Sequence, residues 1–190
     1  MADENDFSEL IPAMKKAAAA LRDAEVPFVL AGGLAAWARG GPASEHDVDF
    51  LVKPNDAERA LQALVDAGMR PERPPEGWLL KAYDGDVLID LIFEPIGGPV
   101  TDEEIERGEE MEVMAMRMRV ASLEDVMVTK LLSLSEQELH YAGVLELARA
   151  VREQVDWADV RERTAGSPFA KGFFTLAAEL EIVPPARAQK

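Results

Sequence analysis

A strand that carries two carboxylates behind a glycine pair is the stretch that most limits how this chain can fold. Val26 to Ala31 is short and apolar, and Gly32-Gly33 ends it. Leu34 to Ala38 is small and helix-forming, and Gly40, Gly41 and Pro42 stop it. Thirteen residues separate Gly33 from Asp47. There Val48, Phe50 and Val52 alternate with Asp47, Asp49 and Leu51. Side chains alternate across a strand, so Asp47 and Asp49 share one face, about 7 Å apart. The unit reads as strand, tight glycine turn, short helix, strand.

Two carboxylates on one face repel unless positive charge lies between them. Mg²⁺ suits the position, because it is hard, prefers oxygen, and is commonly held by one or two carboxylates plus substrate phosphates. The glycine pair supplies a second element. Backbone N–H groups without side chains approach a triphosphate closely, and the helix that follows favours its negative charge. A solvated edge strand with two soluble acids would also carry Asp-x-Asp. The glycine pair, the short helix and the apolar setting of the acids together favour a phosphate seat beside a metal seat.

A third acid completes the set. Val87-Leu88-Ile89-Asp90-Leu91-Ile92-Phe93 is apolar except at Asp90. An acid inside such a run is costly unless it is paired or binds a metal. Glu94 shares its face as a backup ligand, near the strand end set by Pro95.

Ala31-Gly32-Gly33, the spacer, Asp47-Val48-Asp49-Phe50 and the later Asp90 resemble, in order and type, the signature of the nucleotidyltransferase fold superfamily, the polymerase-beta-like transferases. The resemblance implies an α/β (α+β) fold, a mixed sheet flanked by helices over residues 1–120. A helical C-terminal region, 121–190, would pack on the cleft. It implies that Asp47 and Asp49 hold Mg²⁺, or Mn²⁺ in its place, and that Asp90 completes a two-metal clamp or acts as base on the acceptor hydroxyl. Gly32 and Gly33 would bind a nucleoside triphosphate such as ATP, whose nucleoside monophosphate moves to an acceptor hydroxyl.

The rest of the chain reads as follows. Residues 6–24 form a helix with Leu10, Ile11, Met14, Ala17, Ala18 and Leu21 at helical spacing. Asn55 and Glu58 suggest a capping box for a second helix, with Leu61, Leu64 and Val65 buried and Gly68 at its end. Residues 71–75 read as a loop, and 78–83 with 87–93 as a hairpin around Asp84-Gly85. Thr101 and Glu104 form a capping box, and 111–120 reads as one strand with Met114, Met116 and Met118 on one side. Ser122 and Asp125 cap a helix whose stripe is Leu123, Val126, Met127, Lys130, Leu131 and Leu134. Lys130 stands where the period calls for an apolar residue. The pattern allows a snorkelling stem, or an ammonium held towards the acids and the triphosphate. A further helix is expected over 136–153 with His140 on its buried stripe, then a short one over 156–163 and a last one after Ser167-Pro168. His46, beside Asp47, reads as structural.

The helix start before Asp125 and the later Lys130 are similar to bacterial abortive-infection-type nucleotidyltransferase toxins. That resemblance implies that Lys130 contacts the nucleotide, that the acceptor is tRNA or another cellular acceptor, and that a small antitoxin protein silences the enzyme. The toxins carry an acidic residue in the next helix, where this chain has only Glu138 and Glu146.

Composition bounds the partners. A net charge of −16 repels nucleic acid, whose binding rests on Lys and Arg neutralising phosphates. It suits a cationic small-molecule acceptor of the aminoglycoside or lincosamide type, and it leaves room for a short contact with one end of a tRNA. A non-catalytic nucleotide-binding member is a third reading, which three intact acids disfavour. No cysteine is present, and two histidines do not make a zinc site. No targeting or membrane-spanning segment is evident, so a cytoplasmic location is expected.

Overall fold

A computed structural model describes residues 4–42 and 47–184 of the chain. His46 lies outside the described residues. The chain forms a mixed α/β structure: one seven-stranded sheet, in the order β3-β4-β5-β2-β1-β7-β6, flanked by helices. The strands are β1 Phe28–Leu30, β2 Asp47–Val52, β3 Arg70–Glu72, β4 Leu79–Asp84, β5 Val87–Ile92, β6 Glu109–Val113 and β7 Met116–Val120. The helices are α1 Glu4–Asp23, α2 Gly32–Ala38, α3 Ala57–Asp66, α4 Asp102–Arg107, α5 Leu123–Leu132, α6 Tyr141–Val151, α7 Trp157–Arg163 and α8 Pro168–Glu179. None among the described residues is long and apolar enough to cross a membrane.

Alternation along β2 sets the two faces of the sheet. Val48, Phe50 and Val52 are buried, while Asp47, Asp49 and Leu51 are half-buried on the other face. α1 and α3 pack over the central strands. Leu10, Met14, Ala17 and Leu21 of α1 are buried at the spacing of one helical stripe. Phe28 meets Phe50 edge to face, with ring centroids 5.2 Å apart. β2 runs parallel to β5 in the register Asp49 to Asp90, and β1 runs parallel to β7 through Leu30 and Val120. The apolar cluster continues from α1 through the C-terminal helices to Val183.

Helix ends follow local chemistry. Thr101 and Glu104 form the expected capping box, and Ser122 accepts from the N–H of Asp125 at 3.0 Å. α3 ends as expected at Gly68 (φ +87°), with Gly68 N–H on Val65 O and Met69 N–H on Leu64 O.

Five expectations need correction. The glycine pair does not form a turn ahead of α2 but opens the helix itself. Asn55 caps nothing: residues 54–56 form a 3₁₀ turn, Asp56 pairs with Arg59, and Glu58 pairs with Arg73. Residues 70–72 are a strand; Pro71 is tolerated because β3 is an edge. Residues 111–120 are two strands, with Met114 (φ 51°) and Ala115 (φ 64°) as a two-residue turn between paired Val113 and Met116. The sixth helix starts at Tyr141, because the Ser135 hydroxyl and N–H bond to the Glu138 backbone and divert the chain. His140 is exposed there, not part of a buried stripe.

Candidate active site

The three acids singled out in the sequence converge. Asp47 and Asp49 extend from one face of β2, and Asp90 extends from β5 directly opposite Asp49. Each offers a carboxylate oxygen, and those oxygens all lie within 4.8 Å of one another. Glu94 is exposed beyond the end of β5 and does not join them.

Gly32 closes the site on the side of α2. Its φ is +58°, and a β-carbon added there would fall 1.7 Å from Oδ2 of Asp49. The carboxylate thus occupies the space that any other residue would fill. The backbone ties the same two elements together, since Ala31 N–H donates to the carbonyl of Asp49 at 2.9 Å. Gly33 follows within the first turn of α2.

The electrostatics follow from this crowding. Burial first, then the charges of Asp47 and Asp90, push the Asp49 carboxyl up to about 7, against the opposing pull of Lys130 and Lys81. Burial also raises Asp90, against a hydrogen bond from Lys81. Lys130, half-buried on α5, lies close enough to Asp49 for its charge to be felt there; α5 packs against α2.

Lys81 was not legible as a site residue. It lies opposite Asp90 in the β4–β5 hairpin, and its Nζ donates to Asp90 Oδ1 at 2.9 Å. The hairpin loop is Gly85-Asp86, one residue later than expected, with Asp84 still in β4 and paired to Lys16. Counting back from the true loop puts Lys81 opposite Asp90; counting from Asp84-Gly85 does not.

The donor set fits a hard divalent cation. It is all oxygen, it carries three negative charges, and it sits where Gly32 leaves space for the carboxylate. A strand pair presenting three acids beside a helix opened by glycines defines a nucleotidyltransferase. The chain belongs to the family described as uncharacterised nucleotidyltransferase, which matches residues 9–181. A search of curated proteins returns no match. Among solved structures, the solution structure of the antibiotic-resistance factor ANT(2'')-Ia is 18% identical, with a TM-score of 0.52, covering 93% of this chain and 96% of that one. The crystal structure of ANT(2'')-Ia in complex with adenylyl-2''-tobramycin is 19% identical, with a TM-score of 0.49, covering 88% and 94%. The lincomycin-bound lincosamide antibiotic adenylyltransferase LnuA is 16% identical, with a TM-score of 0.47, covering 67% and 89%. The first of these shares the fold.

Proposed function

We propose that this chain moves a nucleoside monophosphate from a nucleoside triphosphate to a hydroxyl of a small-molecule acceptor. The observation that carries the proposal is the cluster of Asp47, Asp49 and Asp90, with oxygens within 4.8 Å, against the backbone of Gly32. In this reading the three acids hold Mg²⁺, with Mn²⁺ able to replace it. A divalent cation held by these acids would offset charge on the triphosphate and on the leaving pyrophosphate. Gly32 and Gly33 let the start of α2 approach the phosphates. Lys130 neutralises phosphate charge from α5. Asp90, whose proton affinity burial raises, takes the proton of the attacking hydroxyl. The hydroxyl oxygen bonds to the α-phosphorus as pyrophosphate leaves.

A small acceptor is favoured by the net charge of −16, which repels a long polyanion and attracts a cation. ANT(2'')-Ia, whose fold the chain shares, is an antibiotic-resistance factor, in line with this reading. The second reading is a toxin that modifies tRNA and is silenced by an antitoxin. The similarity of the helix start before Asp125, and of Lys130 on that helix, to the toxins favours it.

Label transfer separates the two. The protein is incubated with Mg²⁺, each α-labelled nucleoside triphosphate in turn, and either total tRNA or a panel of aminoglycosides and lincosamides. The Asp47→Ala/Asp49→Ala double variant is the control. Label on a small molecule that disappears in the control supports the first reading, and label on tRNA replaces it with the second. Label on neither, with no divalent cation bound, removes the catalytic role.

A further inference from the structure

One face of the sheet carries a row of four charged side chains across four neighbouring strands. Asp49 is in register with Asp90, Asp90 with Lys81, and Lys81 with Glu72. Lys81 and Asp90 form an ion pair of 2.9 Å whose side chains are only 22% and 12% exposed. Beyond them, Tyr83 O–H donates to Glu72 at 2.9 Å, and the Arg70 guanidinium lies 4.1 Å from the centre of the Tyr83 ring. The lysine is therefore enclosed between two acids, the farther of which is itself fixed in place.

We propose that Lys81 is a built-in counter-cation: it stands at Asp90 where a second divalent ion would otherwise bind, so the site takes a single divalent cation. The inference rests on the metal-dependent reading above. Three carboxylates carry three negative charges; one divalent ion with the ammonium groups of Lys81 and Lys130 already more than balances them. A second divalent ion would have to break the ion pair and leave a largely buried ammonium with Glu72 alone, which is unfavourable. The hydrogen bond to Asp90 comes from Lys81, whereas the charge of Lys130 is felt at Asp49. Lys81 acts through Asp90, so it is a positioning residue.

Binding of Mn²⁺ to the full chain, followed by electron paramagnetic resonance without nucleotide or acceptor, tests this. The wild type should bind one ion per chain. Lys81→Met should bind two, Lys81→Arg one, and Lys81→Met/Asp90→Asn one. Lys81→Gln, which keeps a polar head, serves if the methionine variant does not fold. Two ions on the wild type overturn the proposal. So does one ion on both Lys81→Met and the wild type, even if the variant is less stable, because a purely structural lysine changes stability and not the count. No ion on the wild type, or an undiminished ion in Asp47→Ala/Asp49→Ala, overturns the metal-dependent reading and this inference with it.

Discussion

Gly32 and Asp49 compete for one space: a β-carbon on residue 32 would lie 1.7 Å from Oδ2 of the aspartate. Residue 32 also has φ +58°, where an L side chain costs about 1–2 kcal/mol. Gly32→Ala should therefore do two things. Stability should fall by roughly 1–3 kcal/mol, read from urea denaturation. Mn²⁺ affinity should fall at least about tenfold, as expected when a supporting contact of a metal ligand is lost. A variant with full stability and full Mn²⁺ binding would show that Asp49 can move aside freely.

Asp49 makes stability depend on pH. Its folded value, about 7, lies above its ordinary 3.8. Between those values the folded chain binds more protons than the unfolded one, so this group's contribution is fully present below about pH 4 and is lost as pH rises through about 7. In metal-free protein, Asp49→Asn should flatten the fall of Tm between pH 5 and pH 8. It should also remove most of the rise in Tm that Mg²⁺ gives at pH 8. Scanning calorimetry of both proteins checks the sign; a wild-type Tm loss matched by the asparagine variant would refute it.

Arg39 ties the end of α2 to β7 and β6. It donates to the carbonyls of Ala121 at 2.7 Å and Val120 at 3.1 Å, and pairs with Glu109 at 2.8 Å. Val120 and Ala121 are buried, so Arg39→Ala removes two hydrogen bonds from partly buried carbonyls and should cost about 1–3 kcal/mol. Arg39→Lys should recover part of that. Equal midpoints for wild type and Arg39→Ala in urea would argue that water replaces the guanidinium without cost.

Lys130 is proposed to meet the triphosphate. Loss of a charge-assisted hydrogen bond costs about 1.5–3 kcal/mol, so Lys130→Met should weaken Mg-ATP binding by roughly 10- to 100-fold in isothermal titration. Its thermal stability should change little, because the methionine stem still packs on α5. Unchanged affinity would return this lysine to the snorkelling role.

Gly143 lies exposed inside α6, and a β-carbon there would meet nothing within 4 Å. Gly143→Ala should add about 0.5–1 kcal/mol through helix propensity alone. A stability loss would mean that the segment needs glycine for a reason other than its helix.

The sequence by itself determined the sheet-and-helix class, the pairing of the glycines with Asp47 and Asp49, and the place of Asp90. Those features are local: a period of two in a strand, glycine beside a carboxylate, an acid inside an apolar run. What failed lay where tertiary contact overrides local signal. The Met114-Ala115 turn has no Asn-Gly or Asp-Gly signature, so strand pairing alone holds two non-glycine residues at positive φ. Pro71 reads as a loop until β4 gives it an edge to pair with. Ser135 is the local exception, redirecting the chain by bonding backbone three residues on that a helix would have used. Only the tertiary structure brought Lys81 to Asp90, because a lysine nine residues away is a neighbour only in one hairpin register. Packing of α5 against α2 likewise joins elements far apart in the chain. Charges on separate elements become a site when strand register and helix packing place them together, and neither distance is written in the order of the residues.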